Sequence, residues 1–360
     1  MGTKSFLAIR PSRSLRFCAL LALCLVSASL FSGGTTRSSE STALQPTSAE
    51  VAAAPTTALN GKRVIAISID GLNTDALTKL GRSRLPHLYR LIWDGAGTIA
   101  ARSQVEMTVT LPNHTSMVTG RRIARAHGGH GVTWNTDLRS RTVQSAARHN
   151  VASVFDVVHA AGGNTAVFST KSKFSLFDRS WPAAVNRSVI KRENNTAVTN
   201  SLRADLIKHR RDFYFLHLGG PDQTGHHHRC MSSRYLKTVR YMDRLVGSLM
   251  NTITSDAALR ASTLIVLTSD HGGVAGSTDH SQAWRLQNYR VAFTVWGPGV
   301  PNTPLYRLNP TRKNPGKSRP GFSGKQPIRN GDVANLSLSI LGLSPVPGSL
   351  WDRRQDLRWQ

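Results

Sequence analysis

The chain has 360 residues, with 46 Lys and Arg against 20 Asp and Glu, and only three cysteines. That length supports a substantial core in one large or two modest domains, and it excludes a small scaffold held together by disulfides. The formal charge of +26 favours anionic partners, such as nucleic acids, nucleotides, anionic lipids or polyphosphates.

The first 60 residues differ from the rest. Lys4, Arg10, Arg13 and Arg16 form a basic head, Phe17 to Phe31 is apolar, and small residues follow. The pattern predicts a secretory signal peptide over 1–34. A Ser/Thr/Ala/Pro-rich flexible linker over 35–60 and a folded domain over 61–360 complete the expected organisation. The alternative is an uncleaved N-terminal anchor, although the run is shorter than the ~20 residues a span needs. Both place the body outside the cytoplasm, periplasmic or extracellular. Cys18 and Cys24 belong to the head segment, which leaves Cys230 alone and excludes an intramolecular disulfide or a thiolate zinc site. Losing the head's four basic residues takes the charge from +26 to about +22.

Beyond Lys62, apolar runs alternate with helical patterns. Val64–Ile69 reads as a strand and Pro86–Trp93 as a helix with Leu88, Leu91 and Ile92 on one face. Ser153–Ala161 reads as a helix stopped by Gly162-Gly163, and Thr165–Phe168 as a short strand. Phe213–Leu218 is a third strand, followed by a long helix over Arg234–Ile253. Thr263–Leu267 and Arg290–Trp296 are further strands, and Asp332–Leu341 is a helix. The alternation predicts an α/β fold, a mostly parallel central sheet with helices on both faces, in one domain. Arg307 to Arg329 is a Pro/Gly/Lys/Arg loop that fits either a solvated surface or an anion-attracting one. Only Tyr306 and Phe322 accompany its charges, so no specific nucleic-acid recognition is expected.

Three strands lead into acidic residues. Ile69 is followed by Asp70-Gly71. Leu218 runs into Gly219-Gly220-Pro221-Asp222, with His226 four residues on. Leu267 leads to Asp270-His271-Gly272-Gly273, with His280 nine residues after His271. Singly each has an ordinary reading: a turn at Asp70, a helix cap at Asp222, a surface histidine at His280. Together they place Asp and His donors where parallel sheets bind ligands, a set suited to two cations and phosphoryl transfer. His227 and His228 leave the choice of ligand in that run open. For a nucleophile, Thr110-Leu111-Pro112-Asn113-His114 leads to Gly120. Pro112 is expected to open a helix that Gly120 stops, with Thr110 just before its N-terminus, where N–H groups favour a phosphate. A plain helix cap is the alternative reading of Thr110.

Asp70-Gly71, Thr110-Leu-Pro-Asn-His, His130-Gly131, Asp222-Gln-Thr-Gly-His226 and Asp270-His271-Gly-Gly, taken in order, resemble the motif series of type I phosphodiesterases/nucleotide pyrophosphatases of the alkaline phosphatase superfamily. The resemblance spans about Lys62 to Trp351. It implies an alkaline phosphatase-like fold and two zinc ions, with other divalent cations fitting the same donors. One zinc would be held by Asp222, His226 and His280, the other by Asp70, Thr110, Asp270 and His271. Thr110 would be transiently phosphorylated, and Asn135 would help hold a phosphate oxygen. Two departures stand out. In nucleotide pyrophosphatases the last zinc histidine follows a long insertion, whereas His280 comes almost at once. The Thr110-to-Asn135 spacing is also longer, with His127-Gly128-Gly129 inserted. The metal core therefore transfers, and the nucleotide-binding cap does not.

The resulting expectation is a zinc-dependent hydrolase of phosphodiester or phosphoanhydride bonds. Its partner would be a small phosphorylated substrate or an anionic polymer, and its basic surface fits an anionic envelope. A phosphomonoesterase on the same fold and an inert anion-binding envelope protein are the alternatives. A sulfatase fits less well than either, because Thr110-Leu-Pro-Asn-His cannot supply formylglycine.

Overall fold

The computed structural model describes residues 58–360; the expected signal peptide and all but the last three residues of the expected linker lie outside them. Seven strands make one sheet: β1 (Arg63–Ile69), β2 (Ala96–Arg102), β3 (Thr165–Ser169), β4 (Arg187–Ile190), β5 (Phe213–Leu218), β6 (Thr263–Thr268) and β7 (Arg290–Trp296). Their order is β2-β7-β6-β1-β5-β3-β4. β1 lies at the centre because its side chains are apolar on both faces, as a doubly covered parallel strand requires.

The alternation along these strands sorts the core into two layers. Val64, Ala66, Phe213, Phe215, Leu264 and Val266 point to one face, covered by the helices Thr110–Thr119, Val154–Ala160 and Val333–Leu341. Ile65, Ile67, Tyr214, Leu216, Ile265 and Leu267 point to the other, beneath Thr74–Arg84, Pro86–Trp93, Asn195–His209 and Ser233–Ser255. Branched and aromatic side chains suit both the pleat and burial, so one sequence choice fixes strand and core together.

The register positions the site. Ile69 pairs with Leu218, Ser68 with Thr268, and Ser169 with His217, all parallel. The strands β1, β5, β6 and β3 therefore end at one edge, and their following residues emerge side by side.

The sheet departs from the expected parallel pattern in β7, which is antiparallel to β6 and to β2. Residues 269–289 contain only a short helical turn near their end, Leu286–Tyr289, so no crossover helix carries the chain back and it must return antiparallel. β2 carries no apolar run to announce it. Its Gly97 is obligatory, since a Cβ there would meet the carbonyl oxygen of Ile92 at 2.2 Å.

The helix over Thr110–Thr119 begins two residues earlier than Pro112 suggests, with Thr110 as its first residue and Val109 as the cap. Pro112 is tolerated because N–H groups of the first turn have no intrahelical partner. Gly120 ends the helix in the left-handed conformation, as expected.

The basic loop is partly turned inward. Arg329 is fully buried and donates to the carbonyls of Ser103, Pro320 and Gly321. Arg102, equally buried, donates to those of Gly316 and Ser318. The loop thus wraps two guanidinium groups whose N–H donors satisfy its backbone. Cys230 is buried, and burial pushes its thiol up to about 11.

Phe155 anchors the first layer, 5.6 Å from Phe213, 5.8 Å from Trp181 and 6.0 Å from Phe177 between ring centroids. Phe155→Ala is expected to lower stability by about 3–5 kcal/mol in urea denaturation. A loss below about 1 kcal/mol would contradict this packing.

Candidate active site

At the common edge, Asp70 follows β1 and Asp270-His271 follow β6. Asp222 is the third residue of the helix Gly220–His228 after β5, not its cap, which is Gly219. The Asp222 N–H donates to the Asp70 carbonyl (3.1 Å), and the Gly71 N–H donates to Asp270 Oδ1 (3.1 Å). Gly71 has φ +69°, and a Cβ there would lie 2.9 Å from Asp222 Cα, so only glycine lets the two turns approach.

Two donor groups form. Asp70, Asp270 and His271 are one; Asp222, His271 and His280 are the other. His226 adjoins the second, its Nε2 3.3 Å from Asp222 Oδ1 and 3.2 Å from His280 Nε2. His271 lies near both groups and stacks on His280 with ring centroids 3.6 Å apart.

The chemistry of these atoms calls for cations. His271 Nδ1 faces the Gly272 carbonyl (2.8 Å), His280 Nδ1 that of Thr108 (2.7 Å), and His226 Nδ1 that of Thr278 (2.7 Å). A carbonyl only accepts, so each Nδ1 carries a proton, and a neutral ring, such as that of His271 held down by burial, turns a lone pair on Nε2 inward. His271 Nε2 then sits 3.4 Å from Asp70 Oδ1 and 3.2 Å from Asp270 Oδ2. All three atoms are buried without a hydrogen-bond partner. Lone pairs facing one another in a dry pocket are what a metal ion satisfies. The donor sets, carboxylate oxygen and imidazole nitrogen, suit a divalent ion such as zinc.

Thr110 opens its helix beside these groups. Asn135 Oδ1 accepts from the Leu111 N–H (3.0 Å) and from Lys173 Nζ (3.0 Å). Its amide is thereby fixed against the helix start. Lys171 Nζ donates to Asp70 Oδ2 (2.6 Å), Asp222 Oδ2 (2.7 Å) and Thr110 Oγ1 (3.4 Å). A cleft of about 320 Å³ opens over Thr110, lined also by Asn135, Lys171, Lys173, Arg192 and His226.

The local charges compete. Burial and Asp222 would raise Asp70, but the Lys171 ammonium and His217 hold it well below the usual carboxylate range. Burial would raise Asp222 too; Lys171 and His226 hold it low. Asp270 is pushed well up by burial and by the Asp70 charge. The Asp222 hydrogen bond raises His226, which must lose that proton to ligate a metal. One lysine thus serves two carboxylates and leaves the third short of positive charge.

The motif series points to none of Lys171, Lys173 or His217. His217 Nε2 donates to Asp70 Oδ2 (2.8 Å) and orients it. The available signals are slight: a histidine inside the apolar run Phe213–Leu218, and two lysines just after a short strand.

A family model described as type I phosphodiesterase / nucleotide pyrophosphatase matches residues 64–321. The chain belongs to this family. It is 28% identical over 264 residues to ectonucleotide pyrophosphatase/phosphodiesterase family member 1 of Mus musculus, covering 68% of this chain and 27% of that protein. It is 32% identical over 151 residues to GPI ethanolamine phosphate transferase 1 of Chaetomium globosum, covering 40% of this chain and 15% of the relative. The chain therefore spans little more than a quarter of the first relative and under a sixth of the second. Among solved structures it resembles murine ectonucleotide pyrophosphatase/phosphodiesterase 5, an inactive form in complex with AMP. The TM-score is 0.58 at 15% identity, over 82% of this chain and 99% of that one. A protein of the alkaline phosphatase superfamily from Vibrio parahaemolyticus matches with a TM-score of 0.55 at 12% identity, over 84% and 73%. The family's α/β alkaline phosphatase-like fold is therefore the fold of this chain.

Gly71→Ala is expected to weaken divalent-metal binding by about 10–100-fold, because the new methyl group displaces Asp222. Competition with a chromogenic chelator measures this, and unchanged affinity would contradict the close approach.

Proposed function

We propose that this chain is a zinc-dependent hydrolase of phosphodiester or phosphoanhydride bonds, working through a phospho-Thr110 intermediate. The observation that carries the reading is the Lys171 ammonium, within hydrogen-bond reach of one carboxylate from each donor group and of Thr110 Oγ1. Nucleophile and both donor groups therefore meet at one point beneath the cleft.

Asp222, His226 and His280 would hold one ion; Asp70, Thr110, Asp270 and His271 would hold the other. When bound, the ions supply Lewis-acid stabilisation of the attacking and leaving oxygens. The chain's own residues do the rest. Thr110 Oγ1 gives up its proton to solvent and forms the bond to phosphorus, while the leaving oxygen departs with its bonding pair and takes up a proton from solvent. Water then forms a new P–O bond, the P–Oγ1 bond breaks, and Thr110 regains a proton. Asn135 has its carbonyl oxygen engaged, so its amide N–H groups face the cleft as donors to a phosphoryl oxygen.

The relatives frame the substrate question. One is named as a pyrophosphatase/phosphodiesterase and another as an ethanolamine phosphate transferase. The second favours a companion reading, in which an alcohol replaces water in the second displacement. Adding an acceptor alcohol and measuring product partition separates the two. A diester/monoester rate ratio separates both from a phosphomonoesterase. The basic head and apolar run of the first 34 residues support export, with or without an uncleaved anchor. Among the described residues, no helix is long and apolar enough to cross a membrane.

Thr110→Ala is expected to reduce turnover of a nitrophenyl phosphodiester by at least about 10⁴-fold with an unchanged far-ultraviolet spectrum. Turnover at the wild-type rate would sink the nucleophile assignment. Chelation should abolish wild-type activity and added zinc restore it; indifference to chelator would count against both metal sites.

A further inference from the structure

The Lys171 ammonium has three N–H donors, and the structure gives each an acceptor: Asp70 Oδ2, Asp222 Oδ2 and Thr110 Oγ1. Two of these bonds are short charge-assisted contacts to buried carboxylates, and the third, at 3.4 Å, is long. A salt bridge alone would need no such third partner.

The oxygens that Lys171 uses decide its place. It takes Oδ2 of both aspartates. The Oδ1 atoms face the imidazoles: Asp70 Oδ1 lies 3.4 Å from His271 Nε2, and Asp222 Oδ1 lies 3.3 Å from both His226 Nε2 and His280 Nε2. Lys171 therefore occupies neither donor group, and both can fill with Lys171 in position. Once they fill, two divalent ions outweigh the three carboxylates. The lysine charge is then surplus to the ligands and is left for an incoming anion.

The surroundings keep the ammonium there. The register of β3 with β5 brings Ser169-Thr170-Lys171 to the site edge, and the Lys171 N–H is held by Ser169 Oγ (3.0 Å). Gly219 lets Thr170, the residue before Lys171, pack close: a Cβ at 219 would meet Thr170 Oγ1 at 2.7 Å. The Lys171 side chain is 20% exposed, and that exposure opens into the cleft over Thr110.

We propose that Lys171 is a catalytic residue, a third fixed cation of the reaction centre. Its third N–H passes from Thr110 Oγ1 to a non-bridging phosphoryl oxygen as phosphorus moves onto Thr110. Asp70 and Asp222 are both its neighbours and its positioning groups, so the donor is aimed before substrate arrives and needs no reorganisation during reaction. This rests on the phosphoryl-transfer reading above.

The test compares wild-type protein with Lys171→Met and Lys171→Arg, each loaded with zinc. Elemental analysis gives metal per chain, calorimetry gives affinity for inorganic vanadate, and steady-state kinetics on a nitrophenyl phosphodiester give kcat and KM separately. The expected result is two ions per chain in all three proteins. Vanadate binding by Lys171→Met should be weaker by about 10–100-fold, and kcat lower by about 10²–10³-fold with KM changed less. Lys171→Arg should recover part of both. Vanadate affinity and kcat within about twofold of wild type would overturn the proposal, as would loss of an ion from Lys171→Met, which would make the lysine a brace for the ligands. Should wild-type protein turn over no diester at all, the hydrolase reading fails, yet the vanadate comparison still decides the role of Lys171.

Discussion

Three aspartate carboxylates, on Asp70, Asp222 and Asp270, converge at one sheet edge with almost no access to water, and the site's design follows from that crowding. Like charges in a poorly polarisable pocket cost several kcal/mol unless something positive enters. The lysine at position 171 meets two of them, and the third is left short of compensation. His271 turns a lone pair, not an N–H group, toward the same space. The arrangement is therefore incomplete as protein alone and complete with cations. Such frustration is stable only because the two apolar layers around β1 hold the strand ends rigidly and are independent of the charged edge.

Much of this was legible in the residues. The apolar runs of β1, β5 and β6 carry a strong period, and each ends in an acidic residue or an Asp-His pair. Their alignment into one site follows from parallel pairing. The less legible parts lack such patterns. β2, Ala96 to Arg102, is built from small residues and depends on the β7 edge for its existence. β4 is short and lies at the margin. The antiparallel course of β7 is set by the absence of a crossover helix, which a strand's own composition does not encode. Pro112 misleads about the helix start because a proline fits anywhere in the first turn.

Within the site, Asp70, Asp222, Asp270 and His271 announce themselves by following strands. Lys171 does not, because its role comes from the pairing of β3 with β5. His217 is hidden for a different reason: inside an apolar strand, one polar residue reads as an interruption until its partner, Asp70, is seen across the pairing. The charge of the Arg307–Arg329 loop was ambiguous in the sequence. Part of it proves structural, since Arg329 is enclosed by loop carbonyls, and a bulk count of basic residues overstates what the surface offers to an anion.

The return from β6 to β7 has a consequence for how the centre is assembled. Residues 269–289 supply Asp270 and His271 to one donor group and His271 and His280 to the other. A single short stretch of backbone therefore sets the geometry of both. The two groups are not separate modules that could be gained or lost one at a time; they share a hinge of covalent structure. Damage anywhere along that stretch should therefore be felt by both groups.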